Sequence, residues 1–239
     1  MTTHHPAEES ERAAAFDALR ERMKAEFPSS CLREEKRFKL GVPGIDGGCG
    51  GIPAGALTEV VVPPASAGSG LVLGALIGLA RRENAYLALV DGGDGFDPET
   101  MGFERLEHLF WVRCSRLEQA VEAADLLLRD SNFRFHVVDL SHHDSGRLRR
   151  VPGRVWYRFQ RLARQEGAVV VCFSPVGVIP SARLRLSCLP GEGLEQLDWP
   201  REQLAAGLRV EIIRDHRGPA QGRGAAEGRE DGLFRLAAS

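Results

Sequence analysis

The chain has 239 residues, 43% of them hydrophobic and 27% charged, which suits one α/β domain of ordinary to large size plus tails. A formal net charge of −2 excludes bulk attraction to nucleic acid or acidic membranes, so any such binding must come from a local patch. The five cysteines (Cys31, Cys49, Cys114, Cys172, Cys188) are odd in number and never form a C-x-x-C pair, which argues against a disulfide framework and against a zinc site.

Residues 1–10 are polar, with no basic-plus-apolar leader, and no apolar run in the chain is long enough to span a bilayer. A soluble, cytoplasmic protein without a membrane partner is expected. Residues 11–27 have a helical pattern, with Phe16, Leu19, Met23 and Phe27 at spacings of three and four, and Pro28-Ser29-Ser30 ends it. Such a helix ahead of the first core strand either packs on its own domain or docks on another protomer or protein. Phe16, Leu19 and Met23 are its candidate docking residues. Residues 31–39 are charged and read as a connector.

The stretch 40–73 organises the chain. It passes from an extended run through a glycine-rich turn region (Gly47, Gly48, Gly50, Gly51) into an apolar strand, 56–62. A small-residue loop, 63–70, and a helix, 71–82, follow. Strand, loop and helix in this order build a phosphate-binding loop, where backbone N–H groups and a helix N-terminus face an anion. The expected pattern is G-x-x-x-x-G-K-[ST]. The gapless register offers Val62-Pro-Pro-Ala-Ser-Ala67-Gly68-Ser69, without the lysine or both glycines. Ala67, Gly68, Ser69 and Gly70 therefore form a degenerate nucleotide loop whose one surviving chemical group is the Ser69 hydroxyl.

Residues 85–90 form a continuous apolar strand of the kind covered on both faces, followed by an Asp/Gly-rich loop, 91–98. Loops after the carboxyl ends of parallel strands bind ligands, although Asp and Gly also serve ordinary turn chemistry. A strand at 110–114 precedes an amphipathic helix, 117–130, with Leu117, Val121, Ala124 and Leu128 on its inner face. The strand 133–140 ends in Asp139, a Walker-B-like carboxylate of the type that orders Mg²⁺. His142, His143 and Asp144 follow in a polar loop, where adjacent residues rarely converge on one metal ion.

A helix at 153–166 is expected to bury Val155, Phe159 and Leu162. Seven arginines (Arg147, Arg149, Arg150, Arg154, Arg158, Arg161, Arg164) lie in or near it, with no acid between Asp144 and Glu166. This is the strongest local charge feature, either a solvated face or a surface for phosphates or an acidic partner. Residues 168–173 form another buried strand. The segments 182–188 and 208–214 alternate in polarity and read as half-exposed antiparallel strands. The Gly/Arg-rich residues 215–231 are expected to be disordered.

The order of elements resembles the RecA recombinase core: an α/β fold with a mostly parallel central sheet flanked by helices and antiparallel strands near the C-terminal end. The resemblance is carried by Gly41-Val-Pro-Gly-Ile-Asp46 with Gly50-Gly51-Ile52-Pro53-Ala54-Gly55-Ala56-Leu57-Thr58-Glu59-Val60, which is similar to that family's entry motif. Asp91–Pro98, Val137-Val138-Asp139-Leu140-Ser141 and Leu208–Arg214 are similar to later recombinase segments. It implies a chain divided into a helix and connector (1–37), a RecA-like core (38–215) and a flexible tail (216–239).

The departures are equally specific. The P-loop lysine is absent, and Arg81 and Arg82 lie roughly 18 Å along the next helix at about 1.5 Å per residue. Gly93 occupies the position of the water-activating glutamate. The segment after Phe173, Ser174-Pro175-Val-Gly-Val-Ile-Pro180, leaves little of the second DNA-binding loop. A short RecA-like chain with these features, including the segment Ser174 to Leu186, resembles the ImuA family. The resemblance implies a non-catalytic accessory of damage-induced mutagenic translesion synthesis, without catalytic residues, cofactor or metal. Its partners would be an ImuB-type Y-family-like subunit, an error-prone polymerase and RecA, with single-stranded DNA and self-association as further possibilities. The alternatives are a SulA-like cell-division inhibitor and a weak DNA-dependent ATPase of the recombinase class.

Overall fold

Strand β3 (Ala56–Val61) lies inside a seven-stranded sheet and is buried almost throughout its length. The computed structural model describes residues 36–63, 66, 68–189 and 199–216, together with Ala18 and Arg22 as isolated helical positions. Phe16, Leu19, Met23, Ala67 and the tail beyond His216 lie outside the described residues. The chain separates into a unit spanning Glu34–His216 and a second made of Met1–Arg33 with Arg217–Ser239.

The first strands, β1 (Arg37–Phe38) and β2 (Ile52–Pro53), form a small antiparallel pair. The remaining strands are β4 (Tyr86–Asp91), β5 (Leu109–Arg113), β6 (Phe133–Asp139), β7 (Val169–Ser174), β8 (Leu184–Cys188) and β9 (Val210–Asp215). The main sheet runs β5-β4-β6-β7-β3-β8-β9, parallel except for β9, which pairs antiparallel with β8. Long apolar runs in the inner strands follow from this topology, because helices cover both faces of a parallel sheet.

One face carries the β1–β2 pair and the helices α1 (Pro43–Cys49), α2 (Gly68–Arg82) and α3 (Pro98–Met101). Phe38, Ile45, Ile52, Leu73, Leu76 and Phe135 close the core there. The other face carries α4 (Leu117–Leu127), α5 (Ser145–Arg149) and α6 (Gly153–Glu166), packed through Leu117, Ala124, Leu148, Trp156, Phe159 and Val170. A final short helix, α7 (Arg201–Ala206), contacts α2.

The glycine-rich stretch expected to be a turn is largely helix. Pro43 opens α1, Asp46 accepts N–H bonds from Leu40 (2.9 Å) and Gly41 (2.7 Å), and Gly50 closes the helix in the left-handed region. Glycine is a poor helix former, but here the helix must approach β9 closely. A Cβ at Gly44 would stand 2.9 Å from Leu208 O, and one at Gly48 2.6 Å from Ile212 Cδ1. Packing thus outweighs local propensity. Gly51 supplies the sharp turn into β2, with φ +105 and the Phe38 carbonyl pressed against it.

Other expectations shift by small amounts. Part of the 31–39 connector is strand β1, tied to β9 through Arg37 and Asp215 at 2.7 Å. Helix α2 begins at Gly68 rather than at residue 71, and α4 ends at Leu127. Helix α6 buries Trp156, Phe159 and Ala163, one position round from the expected stripe. Strand β8 pairs parallel with β3 as well as antiparallel with β9, so it extends the main sheet and its alternate residues are buried. Cys49, Cys114, Cys172 and Cys188 are all buried free thiols.

Candidate functional site

The carboxyl ends of the parallel strands are where an open sheet of this type takes its ligand. Three loops gather there, each ordered by its own backbone. After β3, Val62 N donates to Ser174 O (2.8 Å) and Ser66 N to Pro63 O (3.1 Å); Gly68 N then donates to Ser66 Oγ (3.2 Å) as α2 begins. Gly68 is buried, and a Cβ on it would lie 2.6 Å from both Cβ and Sγ of Cys188. The first turn of α2 therefore packs against a neutral thiol, which burial pushes up to about 11. Ser69 and Gly70 are half-buried. A guanidinium does reach this turn: Arg201 Nη1 donates to Gly70 O at 3.0 Å.

After β4, Asp91 is buried and accepts from Gly95 N (3.0 Å), Phe96 N (3.0 Å) and Trp111 Nε1 (3.3 Å). Asp97 caps α3 by accepting from Glu99 N at 2.9 Å, and Asp94 forms a two-point pair with Arg113. The Asp/Gly cluster thus shapes a turn. Gly93 and Gly95 receive the His142 side chain: a Cβ at Gly93 would come within 2.6 Å of His142 Cβ, and one at Gly95 within 2.5 Å of His142 Nε2. Gly93 is therefore a glycine packed against the His142 side chain.

After β6, Asp139 Oδ1 accepts from Ser141 N (2.9 Å) and Ser141 Oγ (2.6 Å). Burial pushes its carboxyl above the ordinary range, against the opposing effect of those bonds. No hydrogen bond joins Asp139 to Ser69 among the described residues. His143 is held below the usual imidazole range, first by desolvation, and Asp144 caps α5 through Arg147 N (2.9 Å). No group of three or more His, Cys, Asp and Glu is placed to hold a metal among the described residues.

The segment after β7 is fixed by a carboxylate. Glu59 is fully buried and accepts from Ser174 Oγ (3.0 Å), Val178 N (2.7 Å), Ile179 N (3.1 Å) and Arg185 Nε (2.5 Å). Arg185 also donates to Ile179 O at 2.8 Å. The signal for this clamp was present as a lone acid inside an apolar strand, since a buried charge requires partners. Nothing local identified Arg185 as that partner.

The arginines of α5 and α6 are all exposed, but they are not equivalent. Arg158 pairs with Asp125 and Arg147 with Glu118 (3.2 Å), both acids belonging to α4. Through these two pairs the neighbouring helix neutralises one edge of the arginine face. Arg149, Arg150, Arg154, Arg161 and Arg164 have no side-chain partner among the described residues.

The sheet order, with a partial sequence likeness, defines a RecA-like α/β protein. The chain is 34% identical over 95 residues to the RecA protein of Rubrobacter xylanophilus and, at the same identity and length, to that of Methylococcus capsulatus. Each match covers 38% of this chain and 27% of the relative, so the chain spans about a quarter of the curated relatives' length. No family model matches the chain. No helix among the described residues is long and apolar enough to cross a membrane.

Proposed function

We propose that the protein is an ImuA-type accessory factor: a RecA-like core that does not turn over nucleotide and acts by binding partners in damage-induced mutagenic translesion synthesis. Its partners are an ImuB-type Y-family-like subunit and an error-prone polymerase, which it links to RecA or to the damaged template. The observation that carries this reading is the chemistry at the start of α2. A buried neutral thiol abuts its first turn, Ser69 supplies the hydroxyl, and the loop has no lysine for the β- and γ-phosphates. The unpaired arginines of α5 and α6 supply a docking surface on the opposite face of the sheet.

The test is affinity capture from damaged cells with the full chain as bait. Recovery of RecA with a Y-family-like subunit and a polymerase supports the accessory role. Recovery of the division-ring tubulin homologue instead identifies a division inhibitor and overturns it. A second reading, a weak DNA-dependent ATPase, has one observation in its favour, the Arg201 guanidinium on the first turn of α2. ATP turnover that disappears in Asp139→Ala would establish that reading and remove the non-catalytic one.

A further inference from the structure

At the far end of α2 from the degenerate loop, the surface is concave. A basin of about 560 Å³ opens where the last turns of α2 meet the segment leading into β5. Its floor is helix backbone at Gly78, while one turn earlier Gly74 is covered by Arg201, whose Nη1 would stand 2.8 Å from a Cβ there. A Cβ at Gly78 would meet only Arg82 Nη1, at 3.5 Å. Arg81, Arg82 and Arg105 line it, and Glu107 is the one carboxylate among the described lining residues. Guanidiniums therefore predominate in the described lining, on a chain whose overall charge is −2.

The fold explains part of this arrangement. Arg81 and Arg82 occupy the last turn of α2, where cations complement the helix dipole. Arg82 also donates to Lys39 O at 3.3 Å. Arg81 has no side-chain partner among the described residues.

An aromatic face adjoins the basin. His108 lines it, and the His108 ring lies 5.5 Å from that of Tyr86, tilted by 40°. The two are held side by side by the Leu87 N–H bond to His108 O at 2.8 Å. Tyr86 is 54% exposed, an unusual position for the first residue of an inner strand, and Phe103, two residues before Arg105, is 70% exposed. His108 Nδ1 is buried without a partner among the described residues.

Guanidiniums around a hollow with exposed aromatic rings beside it are the parts of a single-strand nucleic-acid site: charge follows the phosphates, and any base can stack on a ring. We propose that this basin binds single-stranded nucleic acid, seating a backbone phosphate among Arg81, Arg82 and Arg105 and stacking an adjoining base on Tyr86. The uncovered backbone at Gly78 lets the sugar–phosphate chain approach the helix there. The site is on the opposite face of the sheet from the α6 arginines and requires no protein partner, so it stands or falls independently of the accessory role.

The experiment is fluorescence anisotropy of a labelled thymidine oligomer of about 20 nucleotides, titrated with the full chain at low salt and again at rising salt. Arg81→Glu with Arg105→Glu is expected to weaken binding at least about tenfold, and Tyr86→Ala about fivefold or more, in line with the usual cost of losing one stacked base. Gly78→Glu, which puts a carboxylate on the floor while keeping the helix, should also weaken it. Arg116→Glu, at an exposed position ahead of α4 on the other face, should leave it within about twofold. Absence of wild-type binding, or wild-type binding by the Arg81/Arg105 variant, overturns the proposal. Tripolyphosphate is the competitor that separates the two sources of phosphate. If it displaces the oligomer efficiently and Tyr86→Ala has no effect, the basin is a small-polyanion site and the nucleic-acid assignment is wrong.

Discussion

Glu59 and Arg185 stand directly opposite each other on parallel strands β3 and β8, and the Arg185 Nε–H donates to Glu59 Oε2 at 2.5 Å. The carboxylate has no exposed surface, and the guanidinium side chain is 15% exposed. The pair does more than join two strands. Through Val178 N and Ile179 N, Glu59 also holds the short segment that replaces a long loop after β7.

Removing one member of such a pair leaves the other charged and buried, which costs about 3–5 kcal/mol. Glu59→Ala is therefore expected to lower the denaturant midpoint severely. Glu59→Gln, which retains an acceptor for Val178 and Ile179, should lower it less. Urea unfolding followed by circular dichroism tests this, and equal midpoints for wild type and Glu59→Ala would remove the clamp from the account.

The glycines of the entry segment divide by conformation. Gly47 lies within α1, and a Cβ there would meet nothing within 4 Å, so Gly47→Ala should stabilise by about 0.5–1 kcal/mol through helix propensity. Gly51 has φ +105 and a carbonyl against it, so Gly51→Ala should destabilise by at least about 2 kcal/mol. Thermal unfolding of the two single variants should shift in opposite directions. A shift in the same direction would contradict the helix at residues 43–49.

His136 gives the fold a pH dependence whose sign is fixed. Burial lowers its imidazole from 6.5 to about 4, partly offset by the Phe133 carbonyl 3.0 Å from Nε2 and by Asp130. Above pH 6.5 it is neutral whether the chain is folded or not. As the pH falls from 6.5 towards 4, the unfolded chain takes up the proton and the folded one does not. Stability is therefore lost across that window, by roughly 2–3 kcal/mol in all. Asp139, whose carboxyl is raised, acts in the opposite direction. The clean measurement is the difference between wild type and His136→Gln, whose stabilities should converge on acidification. A constant difference from pH 7 to pH 4 would show that His136 does not titrate as described.

On the α6 surface, Arg154 and Arg161 are exposed and lack partners, whereas Arg158 pairs with Asp125. Arg154→Glu with Arg161→Glu should leave the melting temperature unchanged yet reduce capture of the partner subunit. Arg158→Ala should cost at most about 1 kcal/mol, the usual worth of a solvent-exposed pair. Retention of full partner capture by the double variant would reduce these arginines to ordinary surface.

The inner strands were legible because a strand covered on both faces must be apolar along its whole length, as in 85–90 and 168–173. Helix α6 was legible from periodicity, and its bounds coincide with the expected 153–166. The missing lysine, the glycine at residue 93 and the carboxylate at Asp139 are likewise sequence facts that no folding can change. Helix α1 was hidden, because glycine lowers helix propensity and only the contact with β9 explains why glycine is required there.

What the sequence determined by itself is therefore the layered α/β plan and the lack of a lysine in the loop before α2, since both follow from residue type and spacing. The tertiary structure decided which charges are satisfied. Arg185 reaches Glu59 across 126 positions and Asp125 neutralises Arg158 across 33. Arg81, Arg105 and His108 meet around one hollow, with Tyr86 beside His108, because the end of α2, the start of β4 and the segment before β5 lie at the same edge. Pairing of charges depends on distance in space, and distance along the chain carries almost none of that information until the sheet has set its strand order.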